Sequence, residues 1–452
     1  MRIWIENSTG LLETRTGVAT RRFPGIAHSC TDVTNRPHPT VDTRATQRIV
    51  IEWNAESRMP ARNDKPPYRI PAMAEIAATP HNGYRVASTF SGCGGSSLGY
   101  RWAGFKVVWA NEFIPAAQAV YRANFPDTPL DTRDIRTVTG AEILGASGLR
   151  AGELDLLDGS PPCASFSMAG ARSRHWGAAK KYSDTTQRTD DLFFEFARLL
   201  RELQPRTFVA ENVSGLVKGV AKGYFLDILA TLKAAGYRVG ARVLDAQWLG
   251  VPQARARLIF VGVRGDLRGE PAHPRPLPYR YSVREALPWI EQCASNRNYA
   301  ATWRGPDAPA PTIATACFPN GGAGLVRAPP VEAEADMRRY ASGRELAKLA
   351  QGEQSDRYFQ LVRAKLAEPC GTITAEGGNP SAASVAHPTE IRKFSIAELR
   401  RVCGFPDDFA LSGSFAQQWE RLGRAVPPPM MRAIAETIRD QVLRPLDQDA
   451  AA

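Results

Sequence analysis

The chain contains few of the residues that hold small secreted or zinc-binding domains together. Its seven cysteines are scattered over 452 residues, with no Cys-x-x-Cys pair and no histidine nearby at a ligand spacing. This odd, scattered set argues against a disulfide framework and against a zinc site, so we expect no metal. Any cysteine in a special setting is therefore a candidate nucleophile.

Long apolar runs are also missing. No stretch approaches the roughly 20 uninterrupted apolar residues that a membrane helix needs. The N-terminus, MRIWIENSTG, lacks the basic-then-apolar order of a secretory signal. We therefore expect an intracellular protein with no membrane partner.

Positive charge, by contrast, is in excess. The formal net charge is +11 and the isoelectric point is about 9.4, which suits a polyanionic partner such as nucleic acid. With 43% hydrophobic and 23% charged residues, the composition is that of an ordinary globular protein. The length allows two or three hydrophobic cores.

Changes in composition along the chain predict its organisation. The beginning is rich in Thr, Arg, Asn and Pro and has no sustained period outside RIVIEWN, which predicts a loosely ordered extension. From Tyr84 to about Gly262, short β-branched runs alternate with amphipathic stretches, and a Pro-, Gly- and Arg-rich region follows. The expected parts are an extension (1–66), a catalytic domain (67–267), a smaller lobe (268–390) and a C-terminal segment that completes the catalytic domain (391–452).

The alternating region predicts an α/β fold. The predicted strands are YRVASTF, KVVWANEF, ELDLLDGS, TFVAENV and RLIFVGVR. The clearest helix is DDLFFEFARLLRELQ, which Asp190 or Asp191 can cap and Pro205 ends. Alternating strands and helices predict a parallel sheet with helices on both faces, and ligands that bind beyond the carboxyl ends of the strands.

A glycine-rich turn follows the first of these strands. In STFSGCGGSSLGY, the glycines Gly92, Gly94 and Gly95 let the backbone approach a nucleotide-like ligand closely. Glu112, about 20 residues further on, ends the next predicted strand and can accept both ribose hydroxyl protons. No phosphate-binding GxxxxGKS or GKT is present, so a ligand with a ribose and no phosphate fits better. Asp134, in DTRDI, is a candidate acceptor for an adenine amine, with a solvated loop aspartate as the alternative.

Three further groups come at the ends of predicted strands. Cys163 follows two prolines in DGSPPCASFS, which fix the backbone as a rigid shelf, although a buried structural cysteine is the commoner case. AENV supplies Glu211, and QARARLIF supplies Arg255 and Arg257, whose alternative reading is a charged edge strand. A thiol, a carboxylate and guanidinium groups at adjacent strand ends suit an electrophilic ring.

These segments together resemble the ordered motifs of the bacterial-type DNA cytosine-5 methyltransferases. The resemblance extends from about Tyr84 to the C-terminal helix and includes a C-terminal supporting segment and a closing motif. One departure is Arg424, where the family usually has Asn, and we hypothesise that it pairs with the cofactor carboxylate. The matching segments, in chain order, are FSGCGG, NEF, RDI, SPPC, ENV, QARAR, FSIAELRRVCGFPDDF and LGRAVPPPMM.

The resemblance implies a Rossmann-like class I fold that binds S-adenosylmethionine, with residues 268–390 as a target recognition domain. It implies double-stranded DNA as substrate, a bacterial cytoplasmic location at the nucleoid, and a place as an orphan enzyme or beside a cognate restriction endonuclease. We expect a monomer. The residues assigned to catalysis are Cys163, Glu211, Arg255 and Arg257. Those assigned to the cofactor are Phe90, Gly92, Gly94, Gly95, Leu98, Glu112, Phe113, Asp134, Ile135, Pro162, Leu192 and Arg424.

The implied reaction begins with addition of the Cys163 thiolate to C6 of a flipped cytosine. Glu211 binds N3 and the exocyclic amine, Arg257 holds O2, and Arg255 orients the glutamate. The glycine-containing, basic segment after Cys163 is expected to be a mobile loop that closes over DNA phosphates. Its assigned DNA-binding residues are Ser167, Arg172, Arg174, Lys180, Lys181 and Arg188.

Three alternatives stay open. A tRNA cytosine-5 methyltransferase has a very similar core, although the 268–390 lobe favours DNA because base edges need an additional reading surface. The second alternative is a catalytically inactive DNA-binding relative. The presence of Cys163, Glu211 and both arginines argues against it. A nicotinamide oxidoreductase on the same fold is a third, and it leaves SPPC and ENV unexplained. The lobe carries no readable code for the recognised DNA sequence.

Overall fold

The computed structural model describes residues 3–5, 49–51, 65–161, 180–181, 186–187, 191–217, 221–290 and 329–451. The chain forms two compact units, Met1–Trp53 and Asn54–Ala452. In the first unit, the strands Ile3–Ile5 and Ile49–Ile51 pair antiparallel, and the second of them lies within RIVIEWN.

The second unit is built on a seven-stranded sheet whose order is β3-β2-β1-β4-β5-β7-β6. Strands β1 to β5 are parallel, whereas β7 is antiparallel to both of its neighbours. Apolar and β-branched residues make up most of β1, β2, β5 and β7, as their burial between two helical layers requires. The strands are β1 Arg85–Thr89, β2 Lys106–Asn111, β3 Leu130–Asp131, β4 Leu156–Gly159, β5 Thr207–Val213, β6 Tyr237–Asp245 and β7 Ala256–Arg264.

The α/β prediction is confirmed, with one difference in strand direction. The sequence pattern did not predict β6, and it predicted β7 as a member of a parallel sheet. Only about ten residues separate β6 from β7, too few for the helical crossover that a parallel pair requires, so β7 returns antiparallel. This reversal has a functional consequence, because the start of β7 lies at the edge where β5 ends.

Helices connect the parallel strands, and polar caps define where several of them begin. Reciprocal capping boxes start α4, α7, α9 and α10, in the pairs Thr139–Glu142, Ser282–Glu285, Ser395–Glu398 and Ser414–Gln417. The helices are α1 Met73–Ala77, α2 Gly95–Trp102, α3 Pro115–Asn124, α4 Gly140–Ser147, α5 Leu192–Leu203, α6 Ala221–Ala234, α7 Val283–Ala286, α8 Ala341–Leu346, α9 Ile396–Val402, α10 Phe415–Arg424, α11 Pro428–Ile438 and α12 Arg444–Ala451.

Short segments complete the described secondary structure. The 3-10 turns are Ile135–Thr137, Ser214–Val217, Ala246–Trp248, Ala333–Ala335 and Ala375–Gly378, and Arg439–Leu443 is a π-helical turn. Lys180–Lys181 pairs antiparallel with Thr186–Gln187, and Val362–Arg363 pairs parallel with Val385–Ala386.

The predicted helix at DDLFFEFARLLRELQ is confirmed as α5. It ends at Leu203, where Gln204 takes a left-handed conformation (φ 47°) before Pro205. Asp191 stands at the N-cap position but makes no side-chain cap hydrogen bond; its carboxylate pairs with Arg136 instead. The buried face of α5 carries apolar side chains, among them Leu192, Phe196, Leu199 and Leu203.

Aromatic side chains join α5 and α6 to one face of the sheet. Phe196 of α5 meets Phe208 of β5 edge to face, with ring centroids 5.8 Å apart. Phe193 and Phe225 pack against Phe260 of β7 at 5.6 and 5.8 Å. Such aromatic pairs add about 0.5–1.5 kcal/mol each beyond the area that they bury.

The C-terminal segment covers the opposite face. Helix α11 packs directly on α2, and its Met430, Met431 and Ile434 are buried with Tyr100 and Phe105 in one core. A second core joins α2 and α3 to residues 283–290, 364–373 and 394–422. The described part of the predicted 268–390 lobe therefore shares a core with the sheet domain, and it also has a small cluster of its own around Met337, Leu346 and Leu361. In the described part of the chain, no helix has both the length and the apolar character to cross a membrane.

Close packing between α2 and α11 makes Gly99 a sensitive position. A Cβ there would lie 2.7 Å from the carbonyl oxygen of Pro428 and 2.9 Å from the amide nitrogen of Arg432. We expect Gly99→Ala to lower the free energy of unfolding by about 1–3 kcal/mol, because α11 must move. Gly145→Ala, in α4 with no atom within 4 Å of the added Cβ, is the matched control and should be neutral or stabilising by up to about 1 kcal/mol. Urea unfolding measures both, and equal effects would contradict the packing argument.

Candidate active site

A cavity of about 490 Å³ opens at the sheet edge where β1, β2, β4 and β5 end and β7 begins. Its volume lies within the range of about 300–1,000 Å³ that is typical of small-molecule sites. The glycine-rich turn, the end of β5, the start of β7, residues 372–376 and residues 421–426 all contribute to its wall. These five segments, which are far apart in the sequence, therefore meet at one cavity.

The turn after β1 has the backbone geometry that its glycines predict. Gly92 and Gly94 have φ values of 57° and 95°, and Phe90 takes φ 53°, which is rare outside glycine. A Cβ on Gly92 would meet no atom within 4 Å, whereas one on Gly94 would overlap the ring of Phe125 and one on Gly95 the carbonyl oxygen of Val426. Gly92 therefore leaves open space toward the cavity, while Gly94 and Gly95 permit close packing behind it.

Glu112 directly follows β2 and lines the cavity, where hydrogen bonds fix its carboxylate. Its carboxylate accepts hydrogen bonds from the backbone N–H groups of Gly92 and Ile114, at 2.7 Å each. Burial raises the pKa of Glu112, and the two N–H donors oppose that shift. A carboxylate held by the glycine turn in this way is preorganised to accept hydroxyl protons from a ligand.

Asp134 and Ile135 are neighbours in the RDI segment but make different contacts. Ile135 lines the cavity. The Asp134 carboxylate instead accepts from the backbone N–H of Arg136 at 3.0 Å and pairs with the Arg136 guanidinium at 2.9 Å. Asp134 thus caps the Ile135–Thr137 turn, and its contact with an adenine amine stays a prediction.

Glu211 and Arg257 form an ion pair at the wall. Arg257 Nε lies 2.7 Å from Glu211 Oε1, and both side chains are largely buried. The antiparallel register makes this possible, because Glu211 stands opposite Ile259, two residues from Arg257. Arg257, rather than Arg255, is the arginine in contact with the glutamate.

Arg255 makes a different set of contacts. Its guanidinium donates to the carbonyl oxygens of Ile373 at 3.1 Å and Gly423 at 2.9 Å, and it is 2% exposed. Burial, followed by the charge of Arg257, lowers the pKa of Arg255 to about 9. Arg255 therefore joins the residue 372–376 segment and the C-terminal segment to the start of β7.

The structure describes the segment that leads to Cys163 as far as Pro161. Ser160 and Pro161 line the cavity, and Asn212 Nδ2 donates to the Pro161 carbonyl oxygen at 3.3 Å. Asn212, the middle residue of ENV, was not singled out from the sequence, although its place between Glu211 and Val213 was a usable signal. Pro162, Cys163, Ser167, Arg172, Arg174 and Arg188 lie outside the described residues.

The C-terminal wall carries a group of three charged side chains. Glu420 pairs with Arg421 and with Arg424, each at 2.8 Å. Although burial opposes it, the two guanidinium groups hold the pKa of Glu420 below its usual range. Arg421 and Arg424 both line the cavity, which gives this wall a net positive charge.

Residues 372–376 are a part of the site that sequence reasoning missed. Thr372, Ile373 and Thr374 line the cavity, and Thr372 Oγ1 donates to the Ala254 carbonyl oxygen at 2.6 Å. The sequence does carry a signal for this segment, since EPCGTITAE (368–376) shares Pro, Thr and Ile at matching offsets with APAPTIATA (308–316). The second copy, around Thr312, lies outside the described residues.

Other predicted cofactor residues take varied positions. Phe90, Gly92, Gly95, Glu112, Phe113 and Ile135 line the cavity with Arg424. Leu98 and Leu192 are buried in the protein interior, and their contact with a cofactor stays a prediction. The backbone of Lys180 and Lys181 lies in the short strand pair already described. Within the described ranges, no group of three or more His, Cys, Asp or Glu side chains is placed to hold a metal ion.

Comparison with known proteins agrees with this geometry. Residues 84–440 match the sequence model of the family described as C-5 cytosine-specific DNA methylase. The chain belongs to this family. The resemblance drawn from the eight motifs is thereby confirmed, and the chain is of the DNA cytosine-5 methyltransferase type.

Among similar C-5 methylases is the type II methyltransferase M.PspPI of Psychrobacter sp., 30% identical over 80% of this chain and 81% of its own length. The type II methyltransferase M1.HphI of Haemophilus parahaemolyticus is 29% identical over 77% of this chain and 85% of its own.

Solved structures support the fold. A prophage-encoded Escherichia coli protein, described as a DNA modification methyltransferase, aligns with a TM-score of 0.54 at 21% identity over 80% of this chain and 100% of its own. Spodoptera frugiperda DNMT2 aligns with a TM-score of 0.53 at 16% identity over 79% of this chain and 100% of its own.

The two arginines of this C-5 methylase should separate in an unfolding experiment. We expect Arg255→Leu to lower the free energy of unfolding by about 2–4 kcal/mol, since two buried carbonyl oxygens lose their donor at about 1–3 kcal/mol each. Arg257→Leu should cost less, about 1–2 kcal/mol, because Glu211 lines the cavity and can accept hydrogen bonds from water there in place of the guanidinium. Urea unfolding of the two variants provides the comparison, and equal losses would contradict the contacts described for Arg255.

Proposed function

We propose that the protein transfers a methyl group from S-adenosylmethionine to C5 of a cytosine flipped out of double-stranded DNA, through a covalent adduct of Cys163 with C6. The observation that carries the proposal is the single cavity that the glycine turn and Glu112 share with the Glu211–Arg257 pair and with Pro161, two residues before Cys163. Cofactor and base can then meet in one space.

The described residues fit the cofactor. Gly92 leaves room for a ligand against the backbone, and the Glu112 carboxylate is held in place to accept the ribose hydroxyls. Ile135 offers an apolar contact to the adenine, and the positive wall at Arg421 and Arg424 suits the carboxylate of the methionine part. S-adenosylmethionine, when bound, supplies an electrophilic methyl group.

Cys163 supplies the nucleophile in this proposal. Cytosine C5 is too weakly nucleophilic to react unaided, and addition of a thiolate to C6 pushes electron density onto C5. A thiolate is nucleophilic near neutral pH and leaves again once the C5 proton is lost and the ring regains its conjugation. The preceding prolines restrict the backbone that presents it.

Glu211 and Arg257 bind the base. Protonated Glu211 donates to N3 and accepts from the exocyclic amine, which stabilises the adduct. Arg257, 2.7 Å from Glu211, orients this carboxyl group and donates to O2. Arg255 donates to the carbonyl oxygens of Ile373 and Gly423 and so fixes these residues at the cavity wall. We therefore assign it a positioning role rather than a contact with the base.

Access to C6 requires the base to leave the helix, at a cost of a few kcal/mol. We assign Ser167, Arg172, Arg174, Lys180, Lys181 and Arg188 to a loop that contacts the DNA phosphates and offsets this cost. The excess positive charge of the chain favours the same partner.

Residues 268–390 serve as the target recognition domain in this proposal, with 391–452 completing the catalytic domain. Thr372 and Thr374 line the cavity, which supports a position for this region beside the base. DNA is favoured over tRNA because relatives such as M.PspPI are named type II methyltransferases. The same names favour a partner restriction endonuclease over an orphan role.

Methylation should depend on Cys163. We expect Cys163→Ser to lower methyl transfer by more than about 100-fold, because a hydroxyl is a far weaker nucleophile than a thiolate at neutral pH. The measurement is transfer of labelled methyl groups to duplex DNA and to tRNA, with bisulfite sequencing of DNA from expressing cells. C5 methylation no higher than in the Cys163→Ser control would overturn the proposal, and transfer to tRNA alone would replace the substrate.

Cofactor affinity should depend on Arg424. We expect Arg424→Ala to weaken binding of S-adenosylhomocysteine by about 10- to 100-fold, since a charge-assisted hydrogen bond contributes about 1.5–3 kcal/mol. Arg432→Ala is the matched control, because Arg432 also pairs with a glutamate four residues away and is similarly exposed, at 40% against 36%. Calorimetry measures both affinities, and an unchanged Arg424→Ala affinity would exclude the contact.

A further inference from the structure

The proposed reaction makes no use of Asp158, a buried carboxylate at the end of β4. It is 2% exposed and stands five residues before Cys163. Its Oδ2 accepts from Ser88 Oγ at 3.0 Å, and its Oδ1 accepts from Tyr100 Oη at 3.1 Å. Ser96 also hydrogen-bonds to this carboxylate. Three hydroxyl groups from β1 and α2 therefore converge on one carboxylate of the strand that leads to the nucleophile.

These hydroxyl groups connect Asp158 to the glycine turn. Ser91 Oγ lies 3.1 Å from Ser88 Oγ and 2.9 Å from the Ser88 carbonyl oxygen. Ser91 N donates to the Asn111 carbonyl oxygen, next to Glu112. Both Ser91 and Ser96 line the cavity. A continuous chain of hydrogen bonds thus runs from β4 to the two sides of the proposed cofactor site.

Few other ionisable groups face Asp158 among the described residues. Glu211 approaches from β5, Tyr100 from α2 and Tyr121 from α3. Burial raises the pKa of Asp158 to about 7, and the charge of Glu211 adds to the shift, while the Ser88 and Tyr100 hydroxyls oppose it. The carboxyl group is thus poised to change its protonation state near neutral pH.

We propose that Asp158 is a positioning residue: its carboxylate orients the Ser88, Ser96 and Tyr100 hydroxyls and so fixes the glycine turn against the strand that precedes Cys163. An ionised carboxylate accepts from all three hydroxyls. A protonated one must donate to one of them, and that hydroxyl must then turn its own proton elsewhere. Protonation therefore rearranges Ser88 and Ser91 and loosens the cofactor site. The inference rests on the proposed cofactor site.

The effect on stability has the opposite sign to the effect on binding. Because its pKa in the folded protein exceeds its usual 3.8, the folded state binds more protons than the unfolded chain between about pH 4 and 7. The free energy of unfolding contributed by Asp158 falls as the pH rises through this window. Ionised Asp158 thus lowers stability above about pH 7, which a purely structural role does not explain.

The test is calorimetric binding of S-adenosylhomocysteine to the full chain from pH 5.5 to 8.5, with the thermal unfolding temperature measured alongside. For the wild-type protein, we expect affinity to fall at least tenfold from pH 8.5 to 5.5, with a midpoint near 7. Asp158→Asn should bind at least tenfold more weakly at pH 8.5, lose the step near pH 7, and unfold at the same or a higher temperature. Any titration of Glu112 persists in both proteins and is subtracted.

Asp155→Asn is the matched control. Asp155 is a buried carboxylate that directly precedes β4, and it pairs with Arg85 and Arg206 at the end of the strand opposite the cavity. It should lower the unfolding temperature and leave the binding profile unchanged. Ser88→Ala tests the connection: combined with Asp158→Asn, it should add no further loss of affinity. If Asp158→Asn keeps the affinity and the pH profile of the wild-type protein, the inference about Asp158 is overturned and the proposed cofactor site is not affected. Failure of the wild-type protein to bind S-adenosylhomocysteine would overturn the cofactor site as well.

Discussion

The buried guanidinium of Arg255 is the contact on which the rest of the site depends. It stands just before β7 and donates to carbonyl oxygens of Ile373 and Gly423, more than 100 residues away in the sequence. A buried cation is costly unless acceptors compensate it, and these two carbonyl oxygens accept from Nη1 and Nη2, which holds both segments at the start of β7. The cavity wall formed by residues 372–376 and 421–426 follows from this constraint.

The reversal of β7 gives Arg255 its position. A parallel β7 would end, rather than begin, at the edge where β5 delivers Glu211. The short link between β6 and β7 forces the antiparallel direction, and the register then brings Arg257 to 2.7 Å from Glu211. Sheet topology thus assigns the two arginines different partners, although they are only two residues apart.

Glu112, Glu211 and Asp158 are held by different kinds of hydrogen-bond donor. Glu112 is held by backbone N–H groups, Glu211 by a guanidinium, and Asp158 by hydroxyls alone. The hydroxyl donors offset only part of the cost of burial, so the pKa of Asp158 is raised to about 7. This contrast separates the carboxylate proposed to bind the cofactor, the carboxylate proposed to bind the base, and a third carboxylate between the two.

The sequence by itself determined the α/β class, the position of helix α5, the family and the order of the strand-end motifs. These follow from local patterns: hydrophobic period, glycine at positive φ, and polar residues that follow apolar strands. Only the tertiary structure decided that Asp134 caps a turn, that Arg255 binds carbonyl oxygens while Arg257 meets Glu211, and that Thr372 and Thr374 reach the cavity. Each of these depends on strand direction or on partners more than 40 residues distant or on competing local donors, which a local pattern in one sequence does not encode.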